Sequence, residues 1–270
     1  NGDLEAAKLT HQHIISLDNC IDSGFMASAK YLCKLQGVNM EWHTRGSHNL
    51  GPARLRSIEV FHDWAKAEGI LCGADVAMRV FSLLDDSFTY TLHKKDGDLV
   101  RNGDLIAEFK GKTVKLLKGE RTALNLIQHM SGIATLTNEC VKETIGTRAT
   151  IADTRKTLPG LRSLQKYAVT CGGGKNHRYN LSDGAMLKDN HIDAGGGITN
   201  AVKILRSKLG HMVKIEVETR NFDEVKEAVS AGADIIMLDN MNNEQMAECV
   251  KYIDGRAKAE ASGNITLDNI

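Results

Sequence analysis

The chain has 270 residues, 34 Lys and Arg against 34 Asp and Glu, 42% apolar residues and 5% aromatic residues. That length supports one large domain or two smaller ones. Zero formal charge with few aromatics argues against binding nucleic acid by phosphate neutralisation or base stacking, and no apolar run approaches the ~20 residues that span a bilayer. The six cysteines are scattered without CxxC spacing, which argues for reduced thiols in a cytoplasmic protein and against a structural zinc site. Asn1–Thr10 lacks the basic-then-apolar layout of a secretory signal.

In chain order, residues 1–56 show a helical pattern from Phe25 to Leu35 and are otherwise unassigned. From Ile58 to Lys118 the chain carries short strand-like runs broken by Lys95-Asp96-Gly97-Asp98, Arg101-Asn102-Gly103-Asp104 and Lys110-Gly111-Lys112. These are turn and hairpin signals, and residues 57–121 read as a small α+β domain. A long helix is predicted from Thr122 to about Lys142, with Ala123, Leu126, Ile127 and Met130 on one face.

From Arg148 onward, apolar runs alternate with amphipathic stretches. Strands are predicted at Ala149–Ala152, Ala185–Leu187, Val213–Val217, Ile235–Leu238 and Ala257–Ala261, with helices at Ile198–Leu209, Phe222–Ala231 and Asn243–Ile253. The later strands recur every ~20–25 residues, the length of one strand–loop–helix unit. Steady one-way winding predicts a parallel α/β barrel over residues 122–270. About five or six units fit, so the barrel is expected to be incomplete.

Charged residues collect where the predicted strands end. Asp153, Arg155 and Lys156 follow the first, Lys188 the second, Glu218 the third, Asp239 the fourth and Ser262-Gly263 the fifth. In a barrel these positions converge on one mouth. Arg155, Lys156, His177 and Arg178 suit carboxylates and phosphates, the arginines through their planar fork. Glu218 and Asp239 would repel such anions unless a hard cation lies between, and Mg²⁺ bridging carboxylates to phosphates answers that need. Ser262-Gly263-Asn264 offers backbone N–H groups to a phosphate monoester. Gly172-Gly173-Gly174 lacks GxGxxG spacing and a preceding strand, so it reads as flexible or closely approached backbone and not as a nucleotide loop. His191 and Asp189 are expected to brace the loop after Lys188, and His129 to be structural. No Ser, Cys or Asp stands beside a base as a nucleophile would. The set is one of positioning and electrostatics, suited to displacing a phosphorylated leaving group.

Glu120-Arg121-Thr122-Ala123-Leu124-Asn125, Ser131-Gly132-Ile133-Ala134-Thr135, Asp153-Thr154-Arg155-Lys156-Thr157, Asn176-His177-Arg178, Leu187-Lys188-Asp189-Asn190-His191, Glu216-Val217-Glu218, Leu238-Asp239-Asn240 and Glu260-Ala261-Ser262-Gly263 together resemble the decarboxylating quinolinate phosphoribosyltransferase family. The resemblance runs from about Ile58 to Ile270. It implies an N-terminal α/β sandwich, an incomplete α/β barrel, and a homodimer or higher oligomer in which one subunit's sandwich caps its neighbour's barrel. It implies Mg²⁺ as cofactor, with quinolinate and phosphoribosyl pyrophosphate giving nicotinate mononucleotide, pyrophosphate and CO₂. On the matching positions, Arg155, His177 and Arg178 would hold the two quinolinate carboxylates, helped by Lys156, and Arg121 would come from the neighbouring subunit. Lys156 and Lys188 would face phosphate and developing charge. Glu218 and Asp239 would lie near the ribose and Mg²⁺, and Ser262 and Gly263 would form part of the 5′-phosphate loop.

The resemblance also implies a Glu-Asp…Gly-Asp-x-Thr segment, not found in residues 1–56. It implies a further strand, phosphate-site glycine and closing helix beyond Ile270, so the barrel domain is expected to lack its C-terminal end. Rival readings are a related transferase for another ring carboxylate such as nicotinate, a Schiff-base aldolase barrel using Lys188, and a non-catalytic anion-binding barrel.

Overall fold

Asp-bearing turns between short apolar runs fold the first described part. The structure, a computed structural model, describes residues 68–270. The unassigned segment 1–56, the helical pattern at Phe25–Leu35 and the strand-like runs from Ile58 to residue 67 lie outside the described residues. The chain divides into two compact units, one including Gly69 and Thr89–Lys110, the other Ile70–Phe88 and Gly111–Ile270. The first elements are β1 (Gly69–Ile70), α1 (Ala74–Leu84), β2 (Thr89–Leu92), β3 (Leu99–Val100) and β4 (Ala107–Lys110). Within the first unit, β2 and β4 pair antiparallel with Tyr90 opposite Phe109. Two of the three predicted turns form: the Asp98 N–H donates to the Lys95 carbonyl at 3.0 Å and the Asp104 N–H to that of Arg101 at 3.0 Å. Gly97 and Gly103 supply the positive φ angles, 93° and 83°.

In the second unit, Ala74–Leu84 supplies a helix to the stretch read as α+β, at a position where the sequence reading named no helix. Its buried Ala74, Ala77, Met78 and Phe81 form the stripe that docks it. It packs on α2 (Thr113–Glu143), which begins nine residues before the expected Thr122. A residue distant in sequence sets that start: the Lys112 N–H donates to Oδ2 of buried Asp85 at 2.7 Å. That bond, with the Ser87 hydroxyl, holds the Asp85 carboxyl down at about 2. Gly119, a helix breaker by propensity, lies where α1 crosses; a Cβ there would stand 2.9 Å from Leu84 Cδ1.

Beyond α2, the expected strand Ala149–Ala152 is reduced to a single parallel bridge from Ala152 to Lys175. Between these partners runs α3 (Arg162–Cys171). The sheet follows: β5 (Ala185–Leu187), β6 (Ile215–Thr219), β7 (Ile235–Asp239) and β8 (Lys258–Ser262), adjacent in that order and all parallel. Helices α4 (Asp189–Gly195), α5 (Ile198–Lys208), α6 (Phe222–Ser230) and α7 (Asn243–Ile253) fill the crossovers.

Period-two alternation separates the two faces of this sheet. Leu187, Ile215, Val217, Ile236 and Leu238 join Val202, Val225, Ala228, Cys249 and Ile253 in one core cluster, each large side chain contributing about 1.5–3 kcal/mol on burial. The opposite face carries Met186, Glu216, Glu218, Met237, Asp239, Glu260 and Ser262. The fold is α/β, an N-terminal sheet-bearing part followed by an incomplete α/β barrel with a polar interior. No helix among the described residues is long and apolar enough to cross a membrane.

Candidate active site

Two loops carry most of the cations, and the bridge between Ala152 and Lys175 aligns them. The Lys175 N–H donates to the Ile151 carbonyl at 2.8 Å and the Asp153 N–H to the Lys175 carbonyl at 3.1 Å. Arg155 and Lys156 therefore leave one segment beside the point where His177 and Arg178 leave the other. Arg162 on α3 ties the loops together. Its Nη2 donates to the Arg155 carbonyl at 3.2 Å, its Nη1 to that of Tyr179 at 3.3 Å, and its Nε to Thr157 Oγ1 at 3.1 Å. Lys156 is exposed and Arg155 half-buried. The Arg155 Nε is buried without a hydrogen-bond partner among the described residues, a costly state for a guanidinium N–H unless an anion meets it.

The polar sheet face brings further groups to the same mouth. Lys188, at the end of β5, places Nζ 2.5 Å from Oε2 of Glu218 on β6. Two residues earlier on β6, Glu216 is buried. His177 Nε2 lies 3.3 Å from one carboxylate oxygen of Glu216 and 3.3 Å from one of Glu260 on β8. Burial, with Glu260 beside it, pushes the Glu216 carboxyl up to about 7 against the pull of His177 and Arg178. Arg178 is held through its guanidinium, Nη1 donating to the Gly184 carbonyl at 3.2 Å and Nη2 meeting Met186 Sδ at 3.1 Å.

At the ends of β7 and β8, Asp239 pairs in register with Ser262. Asn240 at φ 55°, Gly263 at φ 82° and Asn264 at φ 55° lock the next two loops together. The Asn240 N–H donates to the Ser262 carbonyl and Asn264 Nδ2 to Asn240 Oδ1, both at 2.9 Å. A Cβ on Gly263 would stand 2.3 Å from Asn240 Oδ1, so glycine is required there sterically as well as by φ. Beside it opens a cleft of about 440 Å³ lined by Asn240, Asn242, Gly263, Asn264 and Asn269 among others. It lies at the N-terminus of α7, where the helix dipole and backbone N–H groups favour an anion.

Glu218 and Asp239 offer hard carboxylate oxygens on adjacent strand ends, a donor set that fits a Mg²⁺ retaining several waters. Arg121 is exposed on α2, and its side chain makes no hydrogen bond or ion pair among the described residues. His191 Nδ1 accepts the Lys188 N–H at 3.1 Å, bracing that loop as expected. Gln165 Nε2 lies 2.8 Å from His129 Nε2, tying α3 to α2. Sequence reasoning missed Asp153 as a clamp, Lys166 and Arg162 on α3, and the Glu216–Glu260 pair around His177. The only signal for the last was alternation, which sets Glu216 and Glu260 on the face of Glu218 and Ser262.

Comparison with known proteins places this arrangement. The family model described as quinolinate phosphoribosyl transferase, N-terminal domain, matches residues 58–131, and that of the C-terminal domain matches residues 133–270. The chain is 51% identical over 206 residues to a probable nicotinate-nucleotide pyrophosphorylase [carboxylating] of Bacillus subtilis (strain 168), covering 76% of this chain and 71% of that protein. It is 44% identical over 236 residues to a protein of the same name from Synechocystis, covering 85% and 77%. A crystal structure of NadC from Streptococcus pyogenes superposes with a TM-score of 0.72 at 46% identity, covering 75% of this chain and 72% of that one. The nicotinate-nucleotide pyrophosphorylase of Pyrococcus furiosus, at 17% identity and a TM-score of 0.58, shares the fold alone.

Proposed function

The chain belongs to the quinolinate phosphoribosyltransferase family, and from that premise and the site we infer that it makes nicotinate mononucleotide from quinolinate and phosphoribosyl pyrophosphate, releasing pyrophosphate and CO₂, in NAD biosynthesis. The observation that carries the reading is the gathering of Arg155, Lys156, His177 and Arg178 on two bridged loops, with a buried Arg155 N–H lacking a partner among the described residues. Quinolinate brings two negative charges and phosphoribosyl pyrophosphate several more, so their encounter is repulsive until cations are supplied locally.

Arg155, His177 and Arg178 hold the two ring carboxylates, with Lys156 beside them, and fix the ring nitrogen about 3–3.5 Å from the anomeric carbon. The nitrogen lone pair forms the new bond as the bond to the pyrophosphate oxygen breaks, and pyrophosphate leaves with that electron pair. Lys156 and Lys188 meet the negative charge that grows on the leaving group. Glu218 keeps the Lys188 ammonium directed into the site through their contact. Glu218 and Asp239 would hold Mg²⁺, which when bound neutralises pyrophosphate charge. The 5′-phosphate rests on Ser262 and Gly263 at the cleft before α7. Loss of the carboxylate next to the ring nitrogen leaves an electron pair on carbon; a proton replaces CO₂, and nearby cations stabilise the carbanion character.

Arg121, exposed on α2, completes the quinolinate pocket of a second copy, so the working unit is at least a homodimer. Free thiols on Cys140, Cys171 and Cys249 fit a reducing compartment such as the cytoplasm. Incubation with quinolinate labelled at the carboxyl adjacent to the ring nitrogen, phosphoribosyl pyrophosphate and Mg²⁺ tests the reading. Labelled CO₂ and nicotinate mononucleotide should appear in equal amounts. A folded oligomer that yields neither contradicts it.

A further inference from the structure

The side chain with the least explanation in the fold is Lys166. It sits mid-helix in α3 at 2% exposure, among the largest fully buried side chains. Its ammonium meets Asp153 Oδ1 and also donates to the His177 carbonyl at 3.1 Å. Asp153 Oδ1 in turn accepts the His177 N–H at 2.8 Å. The Asn176 amide, oriented so that donors meet acceptors, donates to Asp153 Oδ2 at 2.7 Å and to the Lys166 carbonyl at 2.9 Å. Both sides of the His177 residue are thus gripped by one buried ion pair, its N–H by the carboxylate and its C=O by the ammonium.

A core function alone accounts poorly for this choice. A buried ion pair is often no more stabilising than apolar side chains of similar volume, so its retention points to geometry. The geometry in question is that of a loop. A parallel ladder between residues 149–152 and 175 would ordinarily set the path of both segments, yet only one bridge forms. Past that bridge the ladder stops, and the Asp153 and Lys166 side chains take over the pairing of residues 176 and 177. Gly174, just before, cannot adjust freely: a Cβ there would lie 2.8 Å from both Thr137 Cγ2 and Val169 Cγ1. Beyond the clamp, the His177 and Arg178 side chains diverge, to Glu216 and Glu260 in one case and to Gly184 and Met186 in the other.

We propose that the buried Asp153–Lys166 pair positions quinolinate: it grips His177 through both backbone polar groups and thereby sets where the His177 and Arg178 side chains meet the ring carboxylates. The inference rests on the functional reading above. Asp153 and Lys166 touch no substrate; they act through the residue they hold. Loosening the clamp should weaken recognition of the diacid more than recognition of phosphoribosyl pyrophosphate, whose phosphate and ribose contacts, Lys156 apart, come from β5 to β8.

The test is a kinetic split in the full chain with Mg²⁺. Lys166→Met keeps the length of the side chain and removes the ammonium. It should raise KM for quinolinate at least about tenfold while KM for phosphoribosyl pyrophosphate changes less than about threefold. Lys166→Gln, which restores an N–H donor, should recover part of the loss. A purely structural role predicts a smaller active fraction with both KM values unchanged, and that result overturns the proposal. Should Lys166→Met not fold, the isosteric Asp153→Asn decides: a raised quinolinate KM supports the clamp and an unchanged one refutes it. The wild-type protein assayed in parallel separates the two ideas. If it does not turn over quinolinate, the functional reading fails; if it does and the variants keep its KM, only the clamp fails.

Discussion

Replacing Gly172 by alanine should destabilise the protein, opposite to what helix propensity suggests. Gly172 follows α3 at φ −76°, a conformation any residue adopts, so alanine would ordinarily stabilise by about 0.4–1 kcal/mol through the unfolded chain. The contact decides otherwise. A Cβ at Gly172 would lie 2.3 Å from the Ala134 carbonyl oxygen and 2.7 Å from Thr137 Cβ, both on α2. Ordinary contact needs more than 3.4 Å, so relief requires about 1 Å of movement. The obstacle is the backbone of a 31-residue helix and not the tip of a flexible side chain. Overpacking of this kind costs about 1–3 kcal/mol, and a rigid obstacle places it at the upper end. The net loss should be about 2 kcal/mol, or roughly 4–8 °C in Tm for a chain of this size. Gly132 on α2 is the control: it is exposed, with nothing within 4 Å of a Cβ, and Gly132→Ala should stabilise by about 0.5–1 kcal/mol. Urea unfolding of both variants against wild type measures the pair. A Gly172→Ala protein as stable as wild type would refute the close approach of α3 to α2 and with it the rigid base under the His177 loop.

Other perturbations reach the site directly. Glu216 has its carboxyl raised from 4.5 to about 7, so between those values the folded protein holds a proton the unfolded chain has released, and stability falls as pH rises through that window. At about 1.4 kcal/mol per pH unit the full window corresponds to roughly 3–4 kcal/mol, which solvent screening of this partly accessible group reduces to about 2–3 kcal/mol. In metal-free buffer Glu216→Gln should remove that loss; parallel stability curves for the two proteins from pH 4 to 8 would contradict it. Arg155→Ala should raise KM for quinolinate about 10–100-fold, the loss of one charge-assisted contact of roughly 1.5–3 kcal/mol, with thermal unfolding unchanged; an unchanged KM removes Arg155 from the pocket. At quinolinate concentrations too low for either variant to turn over, Arg121→Ala protein mixed with Arg155→Ala protein should regain activity in hybrid oligomers, because one mixed site has both arginines. Absence of recovery after verified subunit exchange would show that the site is not shared.

Much of the barrel half was legible because its signal is local. Ile235–Asp239 and Asn243–Ile253 match the predicted strand and helix within one residue, since a parallel strand covered by helices reads as a continuous apolar run. The failures have physical causes. Helix α3 carries Lys166 and Ala168 as its buried residues, with Leu164 and Cys171 packed on the same core; its apolar stripe is short, and the ammonium that anchors it reads as a surface charge. Helix α4 spans seven residues, too few to establish a period. Ala149–Ala152 has the composition of a strand, but a strand needs a continuous partner, and the opposite segment turns away after Lys175. The early start of α2 depends on Asp85, 27 residues before Lys112, a relation no local window contains.

The site divides the same way. Lys188, Glu218, Asp239 and Ser262 stand at strand ends, which alternation and spacing identify. Glu216 and Glu260 lie on the same face but deeper, where a carboxylate is expensive to bury and sequence reasoning does not look for one. Their contact with His177 joins three elements separated by 39 and 44 residues, and only the folded sheet brings them together.

The proposed reaction requires cations from separate strand ends to form one pocket complementary to a ring bearing two adjacent carboxylates. Equilibrium titration of the oligomer with quinolinate and, separately, with nicotinate tests it most directly. Quinolinate should bind at least about a hundredfold more tightly, because the monoacid leaves cationic donors of the site, the buried Arg155 N–H among them, without a second carboxylate. Equal affinity for the two acids, or none for either, would contradict the account.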